Sequence, residues 1–591
     1  MFDSRPVILP INLAVIGKAT LTIARMDVKQ FNAERVWTRN YAPGVPRDIE
    51  PVTSSIYDLL RDRAEQFGDS PALEFFGREW TFAQMHDEVL RVANGLRRLG
   101  VKPEDRVALV MPNCPQHVIA YHAVLRLGAI VAEHNPLYTR SELLTQFRDH
   151  GATVSIVWDK VAPLVQSLAG EVEVSRVISV NITKAMPLKT QLLLKLPVAK
   201  ARESREKLTA KAPGTVPFEK VAAQQPLPDT FPMPTASSIA SLAYTSGTTG
   251  VPKGAILTHK NLLSNAYQGK AWMPEFKTGA ETIYGMLPIF HSFGLLLGFS
   301  YGLVAAARVV LFPSFDGDLI VEASKRHPAT FMPGVPPMFD KMARLAKQGQ
   351  LDISNVHYAM SGAMTLSQGV VDRWEAHAGG GLNEGYGLTE ASPFAVVNPF
   401  GDNRKVGTIG LPCPSTTVKV VDQNHPETEV ELGEPGELLI HGPQVFQGYW
   451  RNDEETQKTL LPGGWLRTGD IVVQDEDGFL TIVDRKKELI ITGGYNVSPS
   501  EVERVISAVP GIAETAVVGI TRGTSNVESV TAVVVLDDGA VFDEAAVRAH
   551  AHQHLADYKV PRSYVVWDEL PKNLLGKVQR KQIRDKLSSK N

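Results

Sequence analysis

Cysteine is almost absent from this 591-residue chain: only Cys114 and Cys413 occur, each beside a proline. No ligand-like spacing joins them, which excludes a disulfide framework and a cysteine-built metal centre and fits a reducing compartment. An excess of one charge is missing too. With 61 Lys+Arg against 64 Asp+Glu the net charge is −3, so no global basic field would recruit nucleic acid. No apolar run approaches the roughly 20 residues of a membrane span. Pro6 to Gly17 is apolar but short, and no small-residue cleavage pattern marks it for export. A cytoplasmic body is expected, with peripheral contact on the inner face of the membrane left open.

The chain is too long for one core, so two or more domains are expected. After an N-terminal arm to about Ile49, helix-like and strand-like runs alternate as in a doubly wound α/β domain. Thr81–Leu99 has helical periodicity, Arg106–Met111 reads as a buried strand and Pro115–Leu127 as the next helix. From Thr416 the pattern turns β-rich, split by Gly/Pro turns. A boundary is expected at Asp484-Arg485-Lys486-Lys487, giving an arm (1–49), a large domain (50–484) and a small α+β domain (485–591). One stretch fits neither half. Residues 184–211 carry eight Lys/Arg and two Glu around Gln191-Leu-Leu-Leu-Lys-Leu-Pro197, either a surface for an anionic membrane or a solvated insertion.

The densest chemical signal is Tyr244-Thr-Ser-Gly-Thr-Thr-Gly-Val-Pro-Lys-Gly254. Hydroxyls of Thr245, Ser246, Thr248 and Thr249 can reach phosphate oxygens. Gly247 and Gly250 let backbone N–H groups approach an anion, and Lys253 adds a compact positive charge. The glycine spacing is not that of the mononucleotide P-loop, and Gly254 rather than Ser or Thr follows the lysine. Downstream, Asn383-Glu-Gly-Tyr-Gly-Leu-Thr-Glu390 offers a ring at Tyr386, a hydroxyl at Thr389 and a hard oxygen ligand at Glu390. Alone it could equally be a helix cap. Asp470, in Gly463-Gly-Trp-Leu-Arg-Thr-Gly-Asp470, could accept both hydroxyls of a ribose or be an ordinary turn residue. Arg485 could reach ribose or phosphate, or form a surface ion pair. Lys577 closes a C-terminal Pro571-Lys-Asn-Leu-Leu-Gly-Lys577 segment.

These clusters resemble, in kind and order, those of the adenylate-forming superfamily: acyl- and aryl-CoA synthetases, peptide-synthetase adenylation domains and beetle-type luciferases. The match runs nearly the whole chain from about Thr53. The resemblance implies that Thr245, Ser246, Gly247, Thr248, Thr249, Gly250 and Lys253 embrace pyrophosphate, and that Tyr386, with Gly387, lies on adenine. It further implies that Thr389 touches the α-phosphate, Glu390 holds Mg²⁺, Asp470 and Arg485 fix the ribose, and Lys577 bridges the substrate carboxylate and the α-phosphate. Lys487 resembles the family's hinge, and Gly493, Gly494 and Tyr495 its pantetheine-facing loop. His291 resembles the histidine at the acyl-site mouth, with a buried core histidine as the competing view.

ATP and coenzyme A are the implied co-substrates. The stretches Glu133-His-Asn-Pro-Leu-Tyr-Thr139 and Val483-Asp-Arg-Lys-Lys487 look most like bacterial medium- and long-chain fatty-acyl-CoA synthetases. Gly294, Gly298 and Gly302 could leave room for an alkyl chain or mark a tight helix contact. Gly362 and Ala363 fall in the expected acyl region, where no basic residue would pair with an amino-acid or dicarboxylate substrate. A fatty acid is therefore expected, with a coumarate-like acid, an acyl-AMP ligase that does not use CoA, a peptide-synthetase domain and a luciferase-like oxygenase as rivals.

Overall fold

The computed structural model describes residues 27–245, 252–485, 488, 490–492, 495–521, 528–555, 557–573 and 576–588. Two large sheets dominate. A seven-stranded sheet runs in the order Val216–Pro217, Arg176–Val180, Val154–Trp158, Arg106–Val110, Ile130–His134, Ile239–Thr245, Lys253–Thr258. It is parallel throughout except for its last pair, a hairpin. The second sheet has nine strands: Leu411–Pro412, Phe394–Val397, Leu382–Gly387, Tyr358–Ser361, Phe331–Gly334, Thr282–Gly285, Arg308–Leu311, Pro71–Phe75 and Arg78–Thr81. Its interior strands are parallel, and antiparallel pairs close both ends.

Parallel strands are covered on both faces, which explains why these segments read as short unbroken apolar runs. Helix Pro115–Arg126 touches strands of both sheets and every one of its residues is buried. Its one Lys/Arg/Asp/Glu side chain, Arg126, donates from its two terminal nitrogens to the carbonyls of Pro232 and Phe231 and lies over the Tyr57 ring. Helix Phe82–Arg98 starts at a capping box made by Thr81 and Gln84. Its buried face carries Met85, Val89, Val92, Ala93 and Leu96, while Leu90 is only partly covered. Truncating Leu96 there would cost about 2–5 kcal/mol.

The β-rich part is antiparallel. Thr417–Val421 pairs Pro435–His441, which pairs Trp465–Gln474, and this strand also takes Leu460–Leu461 and Leu480–Arg485. The described part of the arm belongs to this region: Trp37 is fully buried, and the Tyr41 hydroxyl donates to Pro412 O at 2.5 Å. Gly478 turns beneath Trp37 with φ +90°, and a Cβ there would lie 2.4 Å from the Trp37 Cβ, so only glycine fits. Pro6–Gly17 lies outside the described residues. Beyond Arg485 a smaller α+β unit has its own core, with a three-stranded sheet of Ile512–Thr521, Glu528–Leu536 and Ser563–Val566. The fold is thus α/β, a large N-terminal part followed by a smaller C-terminal one.

Candidate active site

The stretch Tyr244–Gly254 begins and ends on the antiparallel strand pair that closes the seven-stranded sheet. Thr245 pairs with Lys253 and Tyr244 with Gly254 across it. Ser246, Gly247, Thr248, Thr249 and Gly250 lie outside the described residues. The Tyr244 hydroxyl donates to Asp149 at 2.6 Å, and its ring stacks on His134, which roots the hairpin in the sheet. The hydrogen-bond chain behind it sets the tautomers. His150 accepts the Ala152 N–H at Nδ1, so its Nε2–H donates to His134 Nε2 at 3.1 Å, and His134 Nδ1–H donates to Gln146 at 2.6 Å. Burial holds His134 down to about 4 and holds His150 well below an ordinary imidazole, so both are neutral.

Lys253 is held by two partners the sequence did not single out. Its ammonium meets the carboxylate of Glu455 and lies 5.0 Å from the centre of the Tyr449 ring. The Tyr449 hydroxyl donates to Glu390 Oε1 at 2.6 Å, and the Phe446 N–H donates to the Glu390 carbonyl at 2.8 Å. Burial and the Glu390 carboxylate raise the Tyr449 phenol, keeping it a donor. Lys253, Tyr449, Glu390 and Glu455 therefore form one contiguous polar group, drawn from a hairpin strand, a loop, the 3-10 turn Thr389–Ala391 and the first turn of helix Asp453–Thr459. Asn452 caps that helix, its side-chain oxygen accepting the Glu455 N–H at 3.1 Å.

Beside it, strand Leu382–Gly387 delivers Tyr386, whose hydroxyl donates to Asp470 at 2.5 Å. Asp470 is buried and stands opposite Arg485 across the antiparallel pair. The Thr389 hydroxyl is 3.2 Å from that of Ser292. A pocket opens here, lined by Tyr386 and Gly387 together with Phe293, Met360, Gly362 and Ala363. Gly387 permits a close approach: a Cβ would sit 1.7 Å from the Pro393 carbonyl oxygen. Ala363 holds φ +64°, a left-handed conformation that costs a non-glycine residue about 1 kcal/mol. Burial pushes the neighbouring Glu384 carboxyl up to about 8.

Of the other residues expected on the acyl side, His291 is part-buried and accepts the Phe293 N–H at 3.3 Å, capping the helical segment that begins at Ser292. Burial lowers its imidazole to about 4. Gly294 and Gly302 serve close packing: a Cβ would lie 2.1 Å from the Pro288 carbonyl oxygen in the first case and 2.5 Å from the Val309 side chain in the second. Gly298 faces Gly285 with ordinary space for a methyl group, and none of the three lines the described pocket.

Lys577 sits on a tight turn in which Asn573 and Lys577 exchange hydrogen bonds of 2.9 Å. At Gly576, φ is +79° and a Cβ would lie 3.4 Å from Met364 Sδ. The turn therefore rests next to Gly362–Ala363, on the large part. Lys487, Gly493 and Gly494 lie outside the described residues, as does the side chain of Tyr495.

Against this geometry, residues 60–450 match the AMP-binding enzyme model and residues 501–577 the AMP-binding enzyme C-terminal domain model. The chain belongs to the AMP-binding enzyme family. Among its relatives are a long-chain-fatty-acid–CoA ligase of Bacillus subtilis, 35% identical over 94% of this chain and 98% of that protein, and one of Salmonella typhimurium, 37% identical over 94% and 99%. A solved structure of ATP-bound MatB from Rhodopseudomonas palustris superposes on this AMP-binding enzyme with a TM-score of 0.78 at 30% identity, covering 91% of this chain and 99% of that one. A Mycobacterium tuberculosis fatty acyl CoA synthetase does so at 0.69 and 26% identity, over 91% and 99%.

Proposed function

We propose that this AMP-binding enzyme is an ATP-dependent long-chain fatty-acid–CoA ligase. A carboxylate is a poor acyl donor because its leaving group would be oxide. In the proposed reaction a carboxylate oxygen attacks the α-phosphorus of ATP, the bond to the β-phosphate oxygen breaks, and pyrophosphate leaves. The thiol of coenzyme A then attacks the acyl-adenylate carbonyl, the thiol proton is lost, and AMP leaves. No side-chain nucleophile is needed; positioning and charge neutralisation suffice.

The observation that carries this reading is a pocket whose lining includes both Tyr386 and Gly387 and Gly362 and Ala363. That arrangement suits an adenylate whose base and acyl group diverge from one phosphate. Thr245 to Gly250 and Lys253 are assigned to the phosphates, Asp470 and Arg485 to the ribose, Thr389 to the α-phosphate, and Lys577 to the bond being made. His291 and Gly298 are assigned to the acyl side. Glu390 suits Mg²⁺: it is a hard carboxylate beside the Thr389 hydroxyl, and among the described residues no cluster of three or more His, Cys, Asp or Glu could hold a metal by itself. An ion there would draw most of its ligands from phosphate and water. When bound it would neutralise phosphate charge.

The division near Asp484, with the C-terminal unit turning about Lys487 so that Gly493, Gly494 and Tyr495 meet pantetheine, belongs to the same proposal. AMP release should require CoA and be greater with palmitate than with octanoate or cinnamate. Preference for cinnamate, or release of free acyl-AMP as end product, would overturn the assignment. Lys577→Ala should abolish pyrophosphate exchange while leaving thioester formation from supplied acyl-AMP. Contact with a membrane through residues 184–211 is part of the proposal and is developed next.

A further inference from the structure

Of the eleven large hydrophobic side chains that are exposed among the described residues, five fall within residues 188–198. Leu188 is 78% exposed, Leu192 64%, Leu193 51%, Val198 52% and Leu196 46%. Scattered singly such residues need no explanation; a run of this density does. The segment is built rather than loose. Leu194 and Leu208 pack against the main core. The Arg205 guanidinium donates to Leu194 O and the Trp158 indole to Leu208 O, both at 2.9 Å, and Gln191 donates to Met186 O at 2.8 Å. One side of the helical pair Leu188–Leu193 and Ala199–Leu208 is thus pinned to the seven-stranded sheet region, and the leucine side is turned out.

Charge identifies the occupant. Residues 184–211 contain eight Lys/Arg and two Glu, in a protein whose net charge is −3. Lys184, Lys189, Lys195 and Lys200, which flank and interrupt the leucines in sequence, are all exposed. A protein partner would be met by a surface poor in lysine at its centre. Exposed leucines interspersed along the chain with exposed lysines instead match the boundary between acyl chains and anionic headgroups.

We propose that this surface docks the enzyme on an anionic lipid bilayer, with Leu188, Leu192 and Leu193 inserted among the acyl chains and the lysines on the headgroups. The inference rests on the long-chain fatty-acid reading for its purpose, since long-chain acids partition into bilayers and the docked enzyme would draw substrate from them.

Flotation of the full-length protein with phosphatidylcholine vesicles, with or without phosphatidylglycerol, tests it. Binding should appear with phosphatidylglycerol and vanish at high salt. Lys189→Gln and Lys195→Gln should each weaken it about fivefold. The Leu188→Ser/Leu192→Ser/Leu193→Ser variant should lose at least about tenfold, while turnover of octanoate stays unchanged and turnover of vesicle-borne palmitate falls. Failure of the wild type to float, equal flotation of the serine variant, or a self-association that the serine changes abolish without any vesicle binding would each overturn the proposal. Turnover of detergent-dispersed palmitate separates the two readings: if it proceeds without flotation only membrane docking fails, and if no acid is turned over the ligase reading fails.

Discussion

Replacing Glu455 with glutamine should move stability and nucleotide use in opposite directions. The Lys253–Glu455 pair is sheltered, with side-chain exposures of 10% and 23%, so its charge-assisted hydrogen bond lies in the range of about 1.5–3 kcal/mol against about 0.5–1.5 for a neutral one. Glutamine keeps the shape and one hydrogen bond, so the loss is about 1 kcal/mol. Glu455 also sits in the first turn of helix Asp453–Thr459, where a negative charge contributes about 0.3–1 kcal/mol more. Without nucleotide the apparent Tm should therefore fall by about 1–2 °C, because unfolding entropy grows with chain length and leaves only roughly 1 °C per kcal/mol in a part this large. With ATP the sign reverses. Phosphate and the Glu455 carboxylate compete for one ammonium, and removing the competitor should lower KM for ATP about fivefold, since 1.4 kcal/mol is tenfold. Thermal melts with and without ATP, together with pyrophosphate-exchange kinetics at varied ATP, read both effects. A raised KM would refute the reasoning, because it would mean that the carboxylate assists the nucleotide.

Acidification should destabilise the protein through its buried neutral histidines. His122 is held down to about 3, and His134 and His259 to about 4, all by burial; the stability they contribute is complete above an unfolded value of about 6.5 and is lost as pH falls from there towards 4. His122→Phe should flatten that slope in pH-dependent melts. Glu384 acts with the opposite sign: its carboxyl, raised to about 8, favours the protonated form in the fold, so stability declines as pH rises from about 4.5 to 8. Glu384→Gln should raise Tm at pH 8 and leave it unchanged at pH 4. Trp37→Ala, which opens a cavity over Gly478, should cost about 3–5 kcal/mol in denaturant unfolding even though residues 27–49 precede the whole large domain.

Periodicity made the elements around the site legible because each carries its cause locally. Thr81 and Gln84 cap the helix that follows them, and the short apolar runs become parallel strands because both faces are covered. Gly294 and Gly302 were ambiguous for the converse reason. A glycine pattern shows that a Cβ is unwanted, but only the carbonyl of Pro288 and the side chain of Val309 show what occupies its place. The partners of the named residues were also hidden. Tyr449 and Glu455 meet Lys253 across about two hundred positions, and a contact at such separation leaves no periodic trace.

By itself the order of residues determined the family chemistry: a hydroxyl- and glycine-rich turn, a Tyr386-to-Glu390 cluster, Asp470 and a late Lys577 are short, contiguous signals that survive without a fold. Tertiary structure alone decided which side chains share space. It set Glu455 against Lys253 and Tyr386 against Asp470, and it rested the Gly576 turn beside Met364. It also turned Leu188, Leu192 and Leu193 outward while packing Leu194, and Leu208 further on, partly against the core. The physical reason is range. Hydrogen-bonding capacity and backbone freedom belong to a residue and its neighbours, whereas burial, ion pairing and exposure belong to whatever the chain brings back from far along its length.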